Sequence, residues 1–189
     1  MTTKETNGRV GTLTVLDGYR NEYLQDILRL ERECFPADWQ YPTAEEYYAA
    51  MITDRENVNI FLCEDGETIG YVLAKPYKAA VPELKEYDPE LLEASDKFYI
   101  ETIQILPAYQ GRGGARRLLI KACEEALKRG MTKLAIHART SNSFHEKIKR
   151  IFDGSIILTR NIEKWKWAKD EPYEYIEWEY MPLNEMRTR

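Results

Sequence analysis

Hydrophobic residues recur along this chain at two spacings, and the changes from one to the other divide it into elements. The run from Phe98 to Leu106, FYIETIQIL, is dense in aromatic and β-branched residues and reads as a strand that Pro107 stops. A turn with three glycines follows. Beyond it Leu118, Leu119, Ala122 and Ala126 recur at helical spacing, while Lys121, Glu124, Glu125 and Lys128 fill the opposite positions. Gly130 supplies a stop, and Lys128 and Arg129 complement the helix dipole in the last turn.

The same reading extends over the rest of the chain. Thr12–Leu16 reads as a short strand, closed by Asp17-Gly18. Tyr23, Ile27, Leu28, Leu30 and Cys34 form a helix face, with Asn21 as the expected N-cap and an end near Phe35-Pro36. Thr43-Ala44-Glu45-Glu46 has the capping-box pattern and predicts a second helix to about Thr53. Val58–Cys63 and Thr68–Ala74 alternate as strands, and the Asp65-Gly66 between them is a hairpin signal. From Pro76 to Lys97 the chain turns polar and is expected to be a long loop with a short helix near Leu91, either functional or mobile or a solvated surface insertion with no role. Lys133–Ala138 reads as a strand. Ser143-Phe144-His145-Glu146, a second capping box, opens a helix to about Phe152. Ser155–Thr159 and Tyr173–Tyr180 are expected to pair as a closing hairpin around a tryptophan-bearing segment.

Residues 1–11 carry no such pattern and are expected to be disordered, leaving 12–189 as a single domain. A chain of this length can bury about 70% of its unfolded surface. Composition changes little in this picture: 43% hydrophobic, 31% charged and a net charge of −5 suit a soluble globular protein. Mild acidity argues against nucleic acid or an anionic membrane as partner. No apolar run reaches the roughly 18 residues of a membrane span, and the first residues lack a signal-peptide core. Cys34, Cys63 and Cys123 have neither metal-ligand nor redox spacing, which fits a cytoplasmic protein. His137 and His145 lack ligand partners at metal-binding spacing, so no metal is expected.

Chemistry enters at the turn Gln110-Gly111-Arg112-Gly113-Gly114-Ala115. The first N–H groups of a helix have no internal partner and attract anions, and missing side chains let a phosphate approach the backbone. A glycine-rich turn is also a common tight connection, and the pattern alone leaves both readings open. A Walker loop is excluded, because Ala115 and Arg116 stand where Lys-Ser/Thr would be. A dinucleotide fingerprint is excluded too, for want of its glycine spacing and parallel βαβ setting.

Gln110-x-x-Gly113-x-Ala115, set between that strand with Pro107 and that helix, resembles the Gln/Arg-x-x-Gly-x-Gly/Ala signature of the GNAT acyltransferase superfamily. The order of elements resembles the family over nearly the whole chain, and Met181-Pro182-Leu183 is similar to its last-strand ending. The resemblance implies an α/β fold of α+β type. A mixed, mostly antiparallel sheet would be flanked by helices, with the fourth and fifth strands splayed around the pantetheine arm. It implies acetyl-CoA as co-substrate, with Gln110, Gly111, Arg112, Gly113, Gly114 and Ala115 at the pyrophosphate. The backbone of Ile103 and Ile105 would hold the pantetheine amides and thioester, and Asn142 would touch the cofactor arm. Asn142 is equally suited to cap the following helix. Arg116 and Arg117 are further candidates for phosphate contact.

Acyl transfer to an amine needs the amine neutral, and a lysine-type amine has an unperturbed pKa of about 10.4. Glu101, mid-strand and by alternation on one face with Tyr99, Ile103 and Ile105, is the candidate base. The competing reading places it on a solvent-facing side of the strand or pairs it with a neighbouring lysine or arginine. The family's tyrosine, seven residues after the asparagine, is replaced by Lys149. His137 or a loop tyrosine could substitute as general acid, although a strand histidine is more often hydrogen-bonded core. Cys123 reads as core. Trp165, Trp167, Tyr173, Tyr175 and Trp178 could line an acceptor pocket, pack a sheet end or form a homodimer surface.

The reading is an N-acetyltransferase acting by direct attack on a primary amine, small molecule or protein. Glu83, Glu86 and Glu101 suit a cationic acceptor. A family member that binds acyl-CoA without turnover, and an interaction module without cofactor, stay open beside it.

Overall fold

In the computed structural model, residues 11–40, 42–163, 165 and 171–180 are described. The order is β1 (Thr12–Val15), α1 (Asn21–Cys34), α2 (Ala44–Thr53), β2 (Val58–Glu64), β3 (Glu67–Pro76), α3 (Tyr77–Leu84), β4 (Lys97–Ile105), α4 (Gly114–Lys128), β5 (Lys133–Arg139), α5 (Phe144–Ile151), β6 (Ile156–Ile162) and β7 (Tyr173–Glu179). Short 3₁₀ turns at Ala37–Trp39 and Pro107–Tyr109 lie between α1 and α2 and before α4. The expected N-terminal disorder over residues 1–10, Trp167 and Met181-Pro182-Leu183 lie outside the described residues.

The strands form one sheet in the order β1-β2-β3-β4-β5-β7-β6. Every neighbouring pair is antiparallel except β4 with β5. The β2–β3 hairpin turns at Asp65 and Gly66 with φ of 52° and 85°, the doubly left-handed turn that an Asp-Gly pair favours. Tyr23 of α1 meets Phe61 edge-on at 5.5 Å, whereas Leu62 and Ile105 lie against Gly114 at the start of α4. Successive strand residues point to opposite faces, so α1 and α4 cover opposite sides of the sheet. α4 buries Leu118, Leu119, Ala122, Cys123 and Ala126, the stripe its spacing predicts.

Three expectations are corrected. The stretch after Pro76 is not a long loop with a helix at Leu91: α3 forms at Tyr77–Leu84, with Pro82 inside it. Tyr77, Ala80, Val81 and Leu84 are all buried, and burying that stripe outweighs the backbone bond that proline removes. Leu91 is buried from an irregular segment instead. Neither capping box forms, since Thr43 and Ser143 make no side-chain cap bond. Asn142, one residue before the N-cap Ser143, accepts at Oδ1 from the Phe144 N–H at 2.9 Å and so satisfies the first N–H of α5. α1 begins at Asn21 with Arg20, not Asn21, at its N-cap.

Candidate active site

β4 and β5 run together for three residue pairs and then part. The ladder joins Lys97 with Lys133, Phe98 with Leu134 and Tyr99 with Ala135. Beyond this β5 continues to pair only with β7, through Arg139 opposite Tyr173. On its other side β4 stays bonded to β3, and the Leu106 N–H donates to Ile69 O at 2.9 Å. Bonded and non-bonded pairs alternate in an antiparallel ladder. Ile103 opposite Val72 and Ile105 opposite Gly70 are therefore the non-bonded pairs. Their N–H and C=O groups point away from β3, into the opening between β4 and β5.

The parting coincides with an irregularity. Leu73 pairs with Thr102 and Ala74 with Ile100, so Glu101 is an extra residue, a β-bulge. The bulge corrects the expected face. Ile103 and Ile105 join Phe98 and Ile100 in the main core, while Tyr99 belongs to a second cluster with Tyr77, Leu91 and Tyr175. Glu101 does not share a face with both Tyr99 and the two isoleucines, because the inserted residue resets the alternation. Its Oε2 lies 2.9 Å from Lys75 Nζ, and the two side chains are 10% and 11% exposed. The contact is an ion pair rather than an aligned hydrogen bond.

At the far end of the opening sits the glycine turn. Gly111 and Gly113 have φ of 78° and 82°, and a Cβ on either would meet nothing within 4 Å. The space above the turn is open, and only glycine takes this backbone without strain. The first N–H of the α4 ladder to find a carbonyl is that of Arg117, bonded to Gly113 O at 3.2 Å. Those of Gly114, Ala115 and Arg116 precede it at the helix's positive end. This donor set, with room above it and no side chain in the way, fits a pyrophosphate. Gly114 has another reason: a Cβ there would stand 2.9 Å from Leu62 Cδ2 and 3.1 Å from Ile105 Cδ1.

The flanking side chains are divided. Gln110 ties the turn to the strand, its Nε2 donating to Ile105 O at 3.0 Å. Arg112 lies over the Tyr109 ring at 5.0 Å and donates to Ala108 O. Arg116 is exposed. Arg117 is engaged elsewhere, donating to Gly11 O at 2.6 Å and so fastening β1. Asn142 is exposed and accepts from the Phe144 N–H. The structure thus brings Glu101, Ile103, Ile105 and the turn 110–115 along one opening.

His137, named above as one substitute acid, is engaged in the core. Its ring is buried, with Nδ1 3.0 Å from the Tyr99 hydroxyl and Nε2 3.0 Å from Asp88 Oδ2, and Trp165 stacks on it at 4.2 Å. Burial holds the imidazole below its ordinary pKa despite the pull of Asp88. Burial alone would raise the Asp88 carboxyl, but the His137 hydrogen bond and the bidentate Arg160 outweigh it and hold it low. Sequence reasoning missed this Asp88–His137–Tyr99 chain. Its one signal was His137 inside the apolar strand Lys133–Ala138; Asp88, in the polar stretch after Pro76, gave none.

Lys149 is paired with Glu146 at 2.9 Å and Glu174 at 3.1 Å. That ammonium occupies the one grouping of potential ligands within metal-binding reach among the described residues, His145, Glu146 and Glu174. Of the aromatics considered for an acceptor pocket, Tyr175 and Trp178 are core, Trp178 stacking on Phe152 at 4.7 Å. Trp165 and Tyr173 form a partly buried stack at 5.4 Å. Cys123 is core as well, its thiol pushed up to about 12 by burial. Among the described residues no helix is long and apolar enough to cross a membrane.

The sequence model of the acetyltransferase (GNAT) family matches residues 24–148. No curated protein sequence matches the chain. The ribosomal-protein-S18-alanine N-acetyltransferase of Escherichia coli superposes with a TM-score of 0.59 at 17% identity, over 92% of this chain and 98% of that one. Arabidopsis thaliana Naa50, in complex with a bisubstrate analogue, gives 0.62 at 20% identity over 89% and 99%. An aminoglycoside 6'-N-acetyltransferase complexed with coenzyme A gives 0.66 at 12% identity over 90% and 98%. At these identities the likeness is one of fold.

Proposed function

The chain belongs to the GNAT family of acetyltransferases, and on that premise we propose that it moves an acetyl group from acetyl-CoA to a primary amine by direct attack, with Glu101 as base. The observation that carries this reading is the opening between β4 and β5. Outward-facing backbone groups of Ile103 and Ile105 line it, the unpaired N–H groups of α4 end it, and a buried carboxylate stands at its bulge. Gly111, Gly113, Gly114, Ala115 and Arg116 would hold the pyrophosphate, with Arg112 beside it, Gln110 bracing the turn and Asn142 at the edge of the arm. The thioester supplies an activated carbonyl. The chain's own contribution is to anchor it along β4, to exclude water with the two hydrophobic clusters, and to take a proton from the amine at Glu101 Oε1 or Oε2.

The acceptor side is the face of α1. Glu101 and Glu83 both approach the Lys75 ammonium there, at 2.9 Å and 3.8 Å, which supports a cationic amine, small molecule or protein, as acceptor. No side-chain acid is assigned to the leaving group. A thiol pKa near 8.5 lets the thiolate depart without one.

The test is free-thiol release from acetyl-CoA over polyamines, aminoglycosides, amino acids and lysine- or N-terminal peptides, with wild type and Glu101→Gln. Turnover on one class with a loss of about a hundredfold or more in the variant supports the base. An equal rate removes Glu101 from the chemistry. One observation favours a second reading, an acyl-CoA-binding protein without turnover: Lys149 stands at the family's tyrosine position and is fully engaged in ion pairs. Binding of acetyl-CoA by calorimetry with silence across the panel would select that reading.

A further inference from the structure

Two buried ion pairs lie near the point where β4 leaves β5, and they differ in kind. Lys97 donates to Glu177 Oε2 at 2.6 Å, Tyr175 donates to the same oxygen at 2.8 Å, and the Tyr77 ring lies 4.3 Å from the Lys97 ammonium. That pair sits where β4 and β5 are still bonded, and its contacts are complete. Lys75 and Glu101 meet beyond the parting. The Lys75 ammonium has Glu101 at 2.9 Å, Glu83 at 3.8 Å and the Tyr47 ring centre at 6.0 Å, and its contact with Glu101 is not an aligned hydrogen bond. A buried ion pair with incomplete hydrogen bonding is weak support for a fold, so stability alone gives this one little reason to exist.

Its place gives another. β3 runs without a bulge from Tyr71 through Leu73 to Lys75, so Lys75 lies on the α1 face, the face proposed above for the acceptor. The primary amine nearest the proposed base therefore belongs to the protein. Resting on the acetyltransferase reading, we propose that Lys75 is an acetyl acceptor of its own chain, and that its acetylation uncovers Glu101. Glu101 removes a proton from the Lys75 ammonium, and the Nζ lone pair forms an amide bond to the carbonyl carbon of the acetyl thioester. The carbon–sulfur bond breaks with its electron pair on sulfur. Of the two protons the nitrogen gives up, one ends on the thiol and the other in solvent. Acetyl-Lys75 carries no charge, so Glu101 and Glu83 are left as an unfilled cation site into which an external amine fits.

The full-length chain is incubated with acetyl-CoA and digested, and acetylation at each lysine is followed by peptide mass spectrometry. Lys75 is expected to take up one acetyl group at a first-order rate independent of protein concentration. Glu101→Gln slows that uptake about a hundredfold, and Lys75→Arg, which keeps a cation against Glu101, abolishes it while the chain stays folded by circular dichroism. Labelling of exposed Lys78 and Lys128 at the same rate as Lys75, or a rate that rises with protein concentration, overturns the proposal. So does an unmodified Lys75 in a protein that releases thiol with an external amine, an outcome that leaves the proposed function standing. Absence of acetyl-CoA binding by calorimetry removes the function and this inference together.

Discussion

The Arg139 guanidinium lies 3.4 Å from the centre of the Trp39 ring. Trp39 ends the short turn between α1 and α2, and Arg139 ends β5, on the far side of the opening from β4. The contact therefore spans the opening's flank on the α1 face. Glu171 reinforces it, pairing with Arg139 Nε at 3.2 Å.

A clasp in that position shapes the path of the acceptor and leaves the pyrophosphate turn untouched. A cation over a tryptophan face, partly withdrawn from water, contributes about 1–2 kcal/mol. Trp39→Ala is expected to raise KM for the amine about tenfold and leave KM for acetyl-CoA unchanged. Steady-state kinetics with each substrate varied in turn would check this, and an equal rise in both would move the clasp's role to the fold as a whole.

Gly113 separates backbone strain from anion repulsion. With φ at 82° and open space where a Cβ would go, Gly113→Ala should cost about 1 kcal/mol of stability through strain and weaken acetyl-CoA only slightly. Gly113→Asp adds a negative charge where the pyrophosphate is proposed to sit. Its Kd by calorimetry should rise by on the order of a hundredfold over that of the alanine variant. Equal affinities for the two variants would take the pyrophosphate away from this turn.

Gly114 is held to a different standard, that of close packing. A Cβ would press on Leu62 Cδ2 at 2.9 Å and Ile105 Cδ1 at 3.1 Å, and Ile105 is the strand residue whose backbone faces the opening. Overpacking of this kind costs about 1–3 kcal/mol. Gly114→Ala should lower Tm by about 3–10 °C in a chain of this size, and by more than Gly113→Ala does if packing outweighs strain. Thermal scans of both variants decide it.

The contrast between these glycines marks what the sequence could disclose. The turn was legible because missing side chains before an amphipathic helix are a local signal, as were the Asp65-Gly66 hairpin and the stripe of α4. α3 was hidden by Pro82 and by polar neighbours whose exposure is decided only when Tyr77 reaches Tyr175, 3.1 Å away across 98 residues. The bulge at Glu101 was hidden because strict alternation assumes no inserted residue. Glu101 was visible as a charge in a strand, whereas Lys75 fell just past the expected end of its strand at Ala74. Their meeting depends on the β3–β4 register, which neither strand carries alone.

His137 gives the protein a calculable response to acid. Tyr99 from β4, Asp88 from the segment before it, Arg160 from β6, Tyr175 from β7 and Trp165 all face the ring or its carboxylate partner. Burial outweighs Asp88 and holds the folded pKa below the ordinary value of 6.5. Above that pH neither folded nor unfolded chain protonates the ring, and the contribution to stability is fully present. As pH falls through about 6.5 the unfolded chain binds a proton that the folded one refuses, so stability declines by up to about 1.4 kcal/mol per unit until the folded pKa is reached. Asp88 acts lower, near and below 3.8, because its folded pKa is depressed. Urea unfolding of wild type and His137→Gln at pH 7.5 and 5.5 isolates the histidine. The loss of stability between the two pH values should be smaller in the variant than in the wild type. Equal losses would mean that the folded protein accepts the proton on His137, in contact with Asp88, as readily as the unfolded chain does.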